Sequence, residues 1–197
     1  MNITIWILLA LGLMALFWGV GAYNRLVRLR NAITNAFGQI DVQLKRRYDL
    51  IPNLVDVARK YLAHEAQTLE AVIAARQQAQ GAEKTAASRP LNAGALAALA
   101  GAEQALGGAL GRLFAVAEAY PELKADQTLR ELSEELASTE NRIGFARQAY
   151  NDHVLEFNDA ATQFPALIIA RLFGFSAQAM LASTRDEVER EPVKVAL

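Results

Sequence analysis

From Ile3 to Ala22 the chain is almost wholly apolar and uncharged, and from Leu26 onward its apolar residues recur only at every third or fourth position. An α-helix rises about 1.5 Å per residue, so the first stretch spans roughly 30 Å, the thickness of a bilayer's hydrocarbon core. It predicts a transmembrane anchor over residues 1–23. A secretory signal would have a basic start and an apolar centre about half as long, so Gly19, Gly21 and Ala22 read as part of a retained anchor rather than a cleavage site. Trp6 and Trp18 lie towards opposite ends, where indoles favour the headgroup region.

Past the anchor, Leu26, Leu29, Ile33, Phe37, Ile40, Leu44, Tyr48, Ile51, Val55, Ala58 and Leu62 keep the helical period, which continues through Leu69, Val72 and Ile73. One long helix from Leu26 to Gln77 is predicted. Pro52 interrupts it, and Asp49 could cap a fresh start, so a kink or restart is expected near Tyr48–Pro52. Between residues 77 and 94 the apolar period lapses into Gln, Gly, Ser, Ala and Arg89-Pro90, which reads as a loop. A helix rich in small residues follows over 95–118, with Leu96, Leu99, Leu106, Leu110 and Leu113 available for packing. Tyr120-Pro121 ends it, and Asp126 is positioned to cap the next.

Positions 129, 136, 143, 150, 157 and 164 are Leu, Leu, Ile, Tyr, Phe and Phe, seven apart, beside a second stripe of Leu132, Thr139, Ala146, His153 and Ala160. This coiled-coil-like seam predicts a helix over 126–163 that needs one long antiparallel partner, for which the Leu26–Gln77 helix has the length. Pro165 stops it. Residues 166–181 are apolar on most faces with Arg171 their sole charge, and either pack on the bundle or lie in the membrane interface. The fold class is all-α: a transmembrane helix continuing into an antiparallel long-helix bundle of three to four helices (24–182), then a charged, loosely ordered tail (183–197).

Chemistry and charge narrow the function. The chain contains no cysteine, which excludes disulfides and thiolate sites, and its only histidines are His64 and His153. Neither has the glutamate three residues earlier that helical di-metal sites use, and Thr68 stands where a zinc-protease helix would repeat its histidine. No serine sits in a nucleophile frame, so no catalytic residue, metal or cofactor is expected. Residues 1–62 carry eight Lys/Arg against three Asp/Glu, and residues 63–197 twelve against eighteen. With Arg25, Arg28 and Arg30 just after the anchor, the charge rule puts the N-terminus outside and the body in the cytoplasm. The basic cluster at residues 45–47 is short and lacks interleaved aromatic platforms, so nucleic acid is not expected as a partner.

Polar residues inside the helical frame are the remaining signal. Gln43, Arg46, Asp49, Asn53, Glu140, Asn141, Arg142, Arg147 and Asn151 fall where the first and last long helices would face each other. They read as an ion-pair network that fixes which helices pair, or as a docking surface for a partner or a second copy, with a ligand site behind both. Gly12, Gly19 and Gly21 on the anchor permit close helix approach and suggest a homo-oligomer.

The strings YNRLVRLR (23–30), IDVQLKRRYDLIPNLV (40–55), YLAHE (61–65), FAVAEAYPELKA (114–125), TENRIGFARQAYN (139–151) and FNDAATQFP (157–165), with a closing VKV, resemble the LemA family of bacterial membrane proteins. The resemblance covers nearly the whole chain. It implies a single-pass protein of the bacterial cytoplasmic (inner) membrane carrying a long-helix bundle. It also implies loose ties to envelope stress, to membrane proteases and, in a relative, to biogenesis of a magnetic organelle's membrane. No activity is implied. The expectation is a non-enzymatic membrane-anchored scaffold or interaction protein. Its partners would be the lipid bilayer, further copies of itself, and an unidentified membrane or cytoplasmic protein. The alternatives are a membrane-remodelling factor and an accessory factor of a membrane protease.

Overall fold

The computed structural model describes residues 3–62 and 64–181, so the tail expected over 183–197 lies outside the described residues. Its elements are α1 (Ile3–Arg59), α2 (Ala66–Ser88), α3 (Ala93–Ala117), α4 (Pro121–Ala125), α5 (Gln127–Thr162) and α6 (Ala166–Leu172), with no strand among the described residues. α1 is one helix of 57 residues, roughly 85 Å long. From Ile3 to Val20 its side chains are uncovered apart from the half-buried Gly19, as a membrane span requires, and burial begins at Leu26. From there Leu26, Ile33, Phe37, Ile40, Leu44, Tyr48, Ile51, Val55 and Ala58 form the buried stripe.

The restart expected near Pro52 does not occur; α1 runs through it, and Asp49 is an exposed interior residue rather than a cap. Proline at 52 cannot donate to the carbonyl of Tyr48, four residues back. Arg76 of α2 replaces that donor: its Nε–H donates to the Tyr48 carbonyl at 2.6 Å. An orphaned carbonyl beside a helix interior is thereby satisfied by a charged group from the neighbouring helix.

The single helix expected to reach Gln77 is also corrected. α1 stops at Arg59, and α2 turns back antiparallel along it, with Tyr48 against Arg76 and Lys45 against Glu83. The turn contains neither glycine nor proline. It is held by tertiary contacts: Leu62 is fully buried, and the Tyr61 hydroxyl donates to Asp126 at 3.0 Å. The expected loop over 77–94 shrinks to residues 89–92, because α2 continues to Ser88 on a buried face of Ala75, Ala79, Glu83 and Ala86. Alanine is the best helix former and needs little space, so this half of α2 packs without large apolar residues. Asn92 then caps α3, accepting from the Ala95 amide at 2.8 Å.

α5 is capped by Asp126, which accepts from the Leu129 amide at 3.0 Å. It lies antiparallel to α1 along the body, with Phe37 edge-on to Tyr150 and Arg47 opposite Glu140. Leu129, Leu136, Ile143, Tyr150 and Phe157 of the seven-residue stripe are buried as expected. Phe164 is not: α5 ends at Thr162, and Phe164 is 81% exposed. Beyond α6, Gly174 takes the left-handed conformation (φ 71°) that side chains avoid, and the chain turns back along α5 to Leu181. Two asparagines seven residues apart on α5 hold this return. Asn158 exchanges hydrogen bonds with the backbone of Gln178 (2.8 and 3.0 Å), and Asn151 with that of Leu181 (2.8 and 3.0 Å). Seven helical residues advance about 10 Å, as do three extended ones, so the two ladders are in register. Residues 166–181 thus pack on the bundle by one face, while Ile168, Leu172 and Phe173 remain exposed.

The Arg76 contact predicts a coupled pair of substitutions. Arg76→Met should cost about 1.5–3 kcal/mol in urea unfolding by stranding the Tyr48 carbonyl. In a Pro52→Ala background, where the amide of residue 52 can donate again, the same change should cost much less. Additive losses in that double-mutant cycle would contradict the assignment.

Candidate functional site

The four long helices close only partly. α5 lies against α1, α2 against α1, and α3 against α2, whereas α3 and α5 do not pack along each other and are linked at one end by α4. The gap is a cleft of about 170 Å³ with α1 as its floor, lined by Ile40, Leu44 and Arg47, by Leu99 and Glu103 of α3, and by Glu140, Ile143 and Arg147 of α5. Leu181 closes one end.

Arg47 ties the two sides together. Its Nη1 donates to Glu103 Oε2 at 2.9 Å and lies 2.7 Å from Glu140 Oε2, so one guanidinium on α1 joins a carboxylate on α3 to one on α5. The side chain of Arg47 is only 10% exposed and that of Glu103 14%. The Tyr48 hydroxyl donates to the other Glu103 oxygen at 2.5 Å. Burial pushes the Glu103 carboxyl above its ordinary range, and Arg47 and Tyr48 oppose that shift. Burial and the adjacent Glu103 charge also push the Tyr48 phenol well up, keeping it a neutral donor.

A second polar cluster joins α1 to α2. Glu83 is 2% exposed and faces Asp41 and Lys45, whose Nζ lies 2.6 Å from Asp41 and 3.8 Å from Glu83. Burial first, and then the hydrogen bond and charge of Asp41, push Glu83 up to about 7, with Lys45 and Lys84 pulling the other way. Asp41 moves below the ordinary carboxylate range: burial opposes the shift, and its hydrogen bonds with Glu83 and Lys45 outweigh burial. Glu83 thus holds its proton more readily than an ordinary carboxyl, and Asp41 loses its own more readily.

The polar residues singled out from sequence are brought together only in part. Arg46 pairs with Glu135 across α1 and α5, Glu140 joins Arg47, and Arg147 lines the cleft. Gln43 is half-buried, and its Oε1 is buried without a hydrogen-bond partner. Asp49, Asn53, Asn141 and Arg142 are exposed and outside the cleft lining. Asn151 serves the returning chain rather than the α1–α5 face. Arg25 lines a separate cleft beside the span, and Arg28 and Arg30 are exposed on the next turns. Arg47, Glu103 and Glu83, which organise both clusters, were missed. Each occupies a slot of an apolar stripe: Arg47 between Leu44 and Ile51, Glu103 between Leu99 and Leu106, Glu83 between Ala79 and Ala86. Among the described residues no three His, Cys, Asp or Glu side chains gather as a metal site.

Two measurements check these clusters. Glu103→Ala leaves the Tyr48 hydroxyl without its acceptor and Arg47 with Glu140 as its remaining carboxylate, and should cost about 3 kcal/mol, the lower end for a broken buried pair, whereas Arg47→Met/Glu103→Leu should cost less than Glu103→Ala alone. Because the folded pKa of Glu83 is raised, its stabilising share is complete below about pH 4.5 and is lost as pH rises through about 7. Stability against unfolding should therefore fall from pH 5 to pH 8, and Glu83→Gln should reduce that fall.

Relatives with names match along much of the chain. Magnetosome protein MamQ of Magnetospirillum gryphiswaldense is 27% identical over 168 residues, 78% of this chain and 62% of that protein. Magnetosome proteins MamQ 1 and MamQ 2 of Paramagnetospirillum magneticum match over the same shares. The chain thus spans about three-fifths of the length of these relatives. The pattern of the LemA family runs over residues 36–197, from the second buried turn of α1 through both polar clusters and the whole of α5, and the chain belongs to the LemA family.

Proposed function

We propose that the chain is a non-catalytic, membrane-anchored scaffold of the bacterial envelope that offers the α3–α5 cleft to a segment of a partner protein. The observation that carries this reading is the incomplete closure of the bundle over a cleft whose lining is apolar at Ile40, Leu44, Leu99 and Ile143 and charged at Arg47, Glu103, Glu140 and Arg147. Such a surface rewards an amphipathic segment, which buries apolar side chains against the apolar lining and meets the fixed charges with its polar ones. α1 would hold the cleft at a set distance from the bilayer, because no flexible linker separates span from body. The charge rule, with Arg25, Arg28 and Arg30 at the span's exit, favours a cytoplasmic body. The magnetosome setting in the names of the MamQ relatives supports a role in organising a membrane-bound assembly.

A photo-crosslinking residue at Gln104, which is exposed and lines the cleft, tests the reading in cells, with one at exposed Lys84 as control. The expected result is a discrete adduct with a different protein from position 104 that is absent from position 84. An adduct with a second copy would assign the cleft to self-assembly instead. Equal labelling from both positions would contradict a docking role.

A further inference from the structure

α6 lies at the depth of the span's last turns. Ile169 faces Gly19, where an added Cβ would meet its Cδ1 at 3.6 Å. The corner Gln163–Ala166 shares a cleft of about 340 Å³ with Trp18, Gly21, Ala22 and Arg25 of α1. Tyr23 stacks edge-on against Phe173 and Phe175, with ring centroids 4.8 and 5.6 Å apart. These contacts fix α6 beside residues 18–25, where the apolar run gives way to its first arginine and where Trp and Tyr mark the bilayer–water boundary.

The outward face of α6 is unsuited to water. Ile168 and Leu172, four residues apart on α6, are 55% and 73% exposed, with Phe173 at its end 56% exposed and Phe164, in the corner before it, 81% exposed. The inward face, Ile169 and Ala170, is apolar as well, so the helix has no polar side to present, and Arg171 is its single charge. A contiguous exposed apolar patch of this kind marks an interaction surface, and this one is continuous with the uncovered span.

We propose that the α5–α6 corner is a second membrane-contact element, a half-collar in which Phe164, Ile168, Leu172 and Phe173 seat in the headgroup–acyl boundary of a phospholipid bilayer beside the span, with Arg25 and Arg171 at headgroup level. Shallow insertion of an apolar face at this boundary is an established mode of membrane binding. Here the span supplies the attachment, and the collar adds a second point on one side of it. One point leaves a rod free to tilt and spin; two fix its lean and the direction in which the body faces. The proposal rests on membrane insertion of the span and is independent of the cleft's partner.

The chain has no cysteine, so single-cysteine variants can carry a probe without background. Ile168→Cys and Leu172→Cys replace exposed side chains, with Leu13→Cys as span control and Phe145→Cys (73% exposed) as body control. Full-length protein with an environment-sensitive fluorophore is placed in vesicles of phosphatidylcholine and phosphatidylglycerol. The expected result is that the probes at 168 and 172 are blue-shifted, lose quenching by aqueous iodide, and are quenched by lipid spin-labelled near the headgroup, while the probe at 145 behaves as in water. Probes at 168 and 172 that match 145, while the probe at 13 is quenched by deep spin labels, would overturn the collar and leave the anchor intact. Protection from iodide without quenching by spin-labelled lipid would mean that protein, such as a second copy, covers the face, and would also overturn it. A water-like probe at 13 would instead show that the span itself had not inserted.

Discussion

One helix has to satisfy two solvents. Over Ile3–Val20 α1 presents apolar side chains on every side to lipid, and from Leu26 it confines them to a stripe that the bundle covers. The backbone hydrogen bonds do not pause at the boundary, so whatever orientation the bilayer imposes on the first turns is passed to the body. That continuity is vulnerable where Pro52 removes a bond deep in the bundle, and Arg76 supplies the missing donor from α2. A neighbouring helix thus maintains the element on which the whole body is mounted.

The second organising group is Arg47. A closed four-helix body would bring α3 and α5 together through apolar side chains; here both reach to a guanidinium on α1. Buried ion pairs add little net stability compared with apolar packing, but they are costly to break and they fix geometry. The arrangement trades packing for a fixed spacing between two helices, and that spacing is what leaves the cleft open. The α1–α2 interface uses a related device, a carboxyl pair of Asp41 and Glu83 beside Lys45.

Much of this was legible in the sequence, for reasons that explain the rest. The span, the stripes of α1 and α5, the Asp126 cap and the Tyr120-Pro121 break are local signals, set by hydrophobic period and by capping chemistry. The turn after Arg59 was not legible, because it has no breaker and the stripe of α2 continues in phase with that of α1. Length carried a clue: residues 26–59 and α5 are nearly equal, about 50 and 54 Å, so a helix reaching Gln77 would have outrun its partner. The second half of α2 read as loop because its buried face is alanine rather than leucine. Charged residues within apolar stripes look like gaps in a hydrophobic pattern, and at Arg47, Glu83 and Glu103 those gaps are the site. Asp49, Asn53, Asn141 and Arg142 carry no such signal towards the cleft: they are exposed and lie outside its lining.

Span and body form one unbroken helix, and every mechanical consequence follows from that. Spin labels at Met14 in the span and Val42 in the body, both on exposed sides of α1, report it directly by pulsed dipolar spectroscopy on the full chain in lipid nanodiscs. A continuous helix over that interval predicts a single narrow distance distribution centred at roughly 42 Å before allowance for the label arms. A broad distribution, or one centred well short of that value, would show a hinge between membrane and bundle and contradict the account.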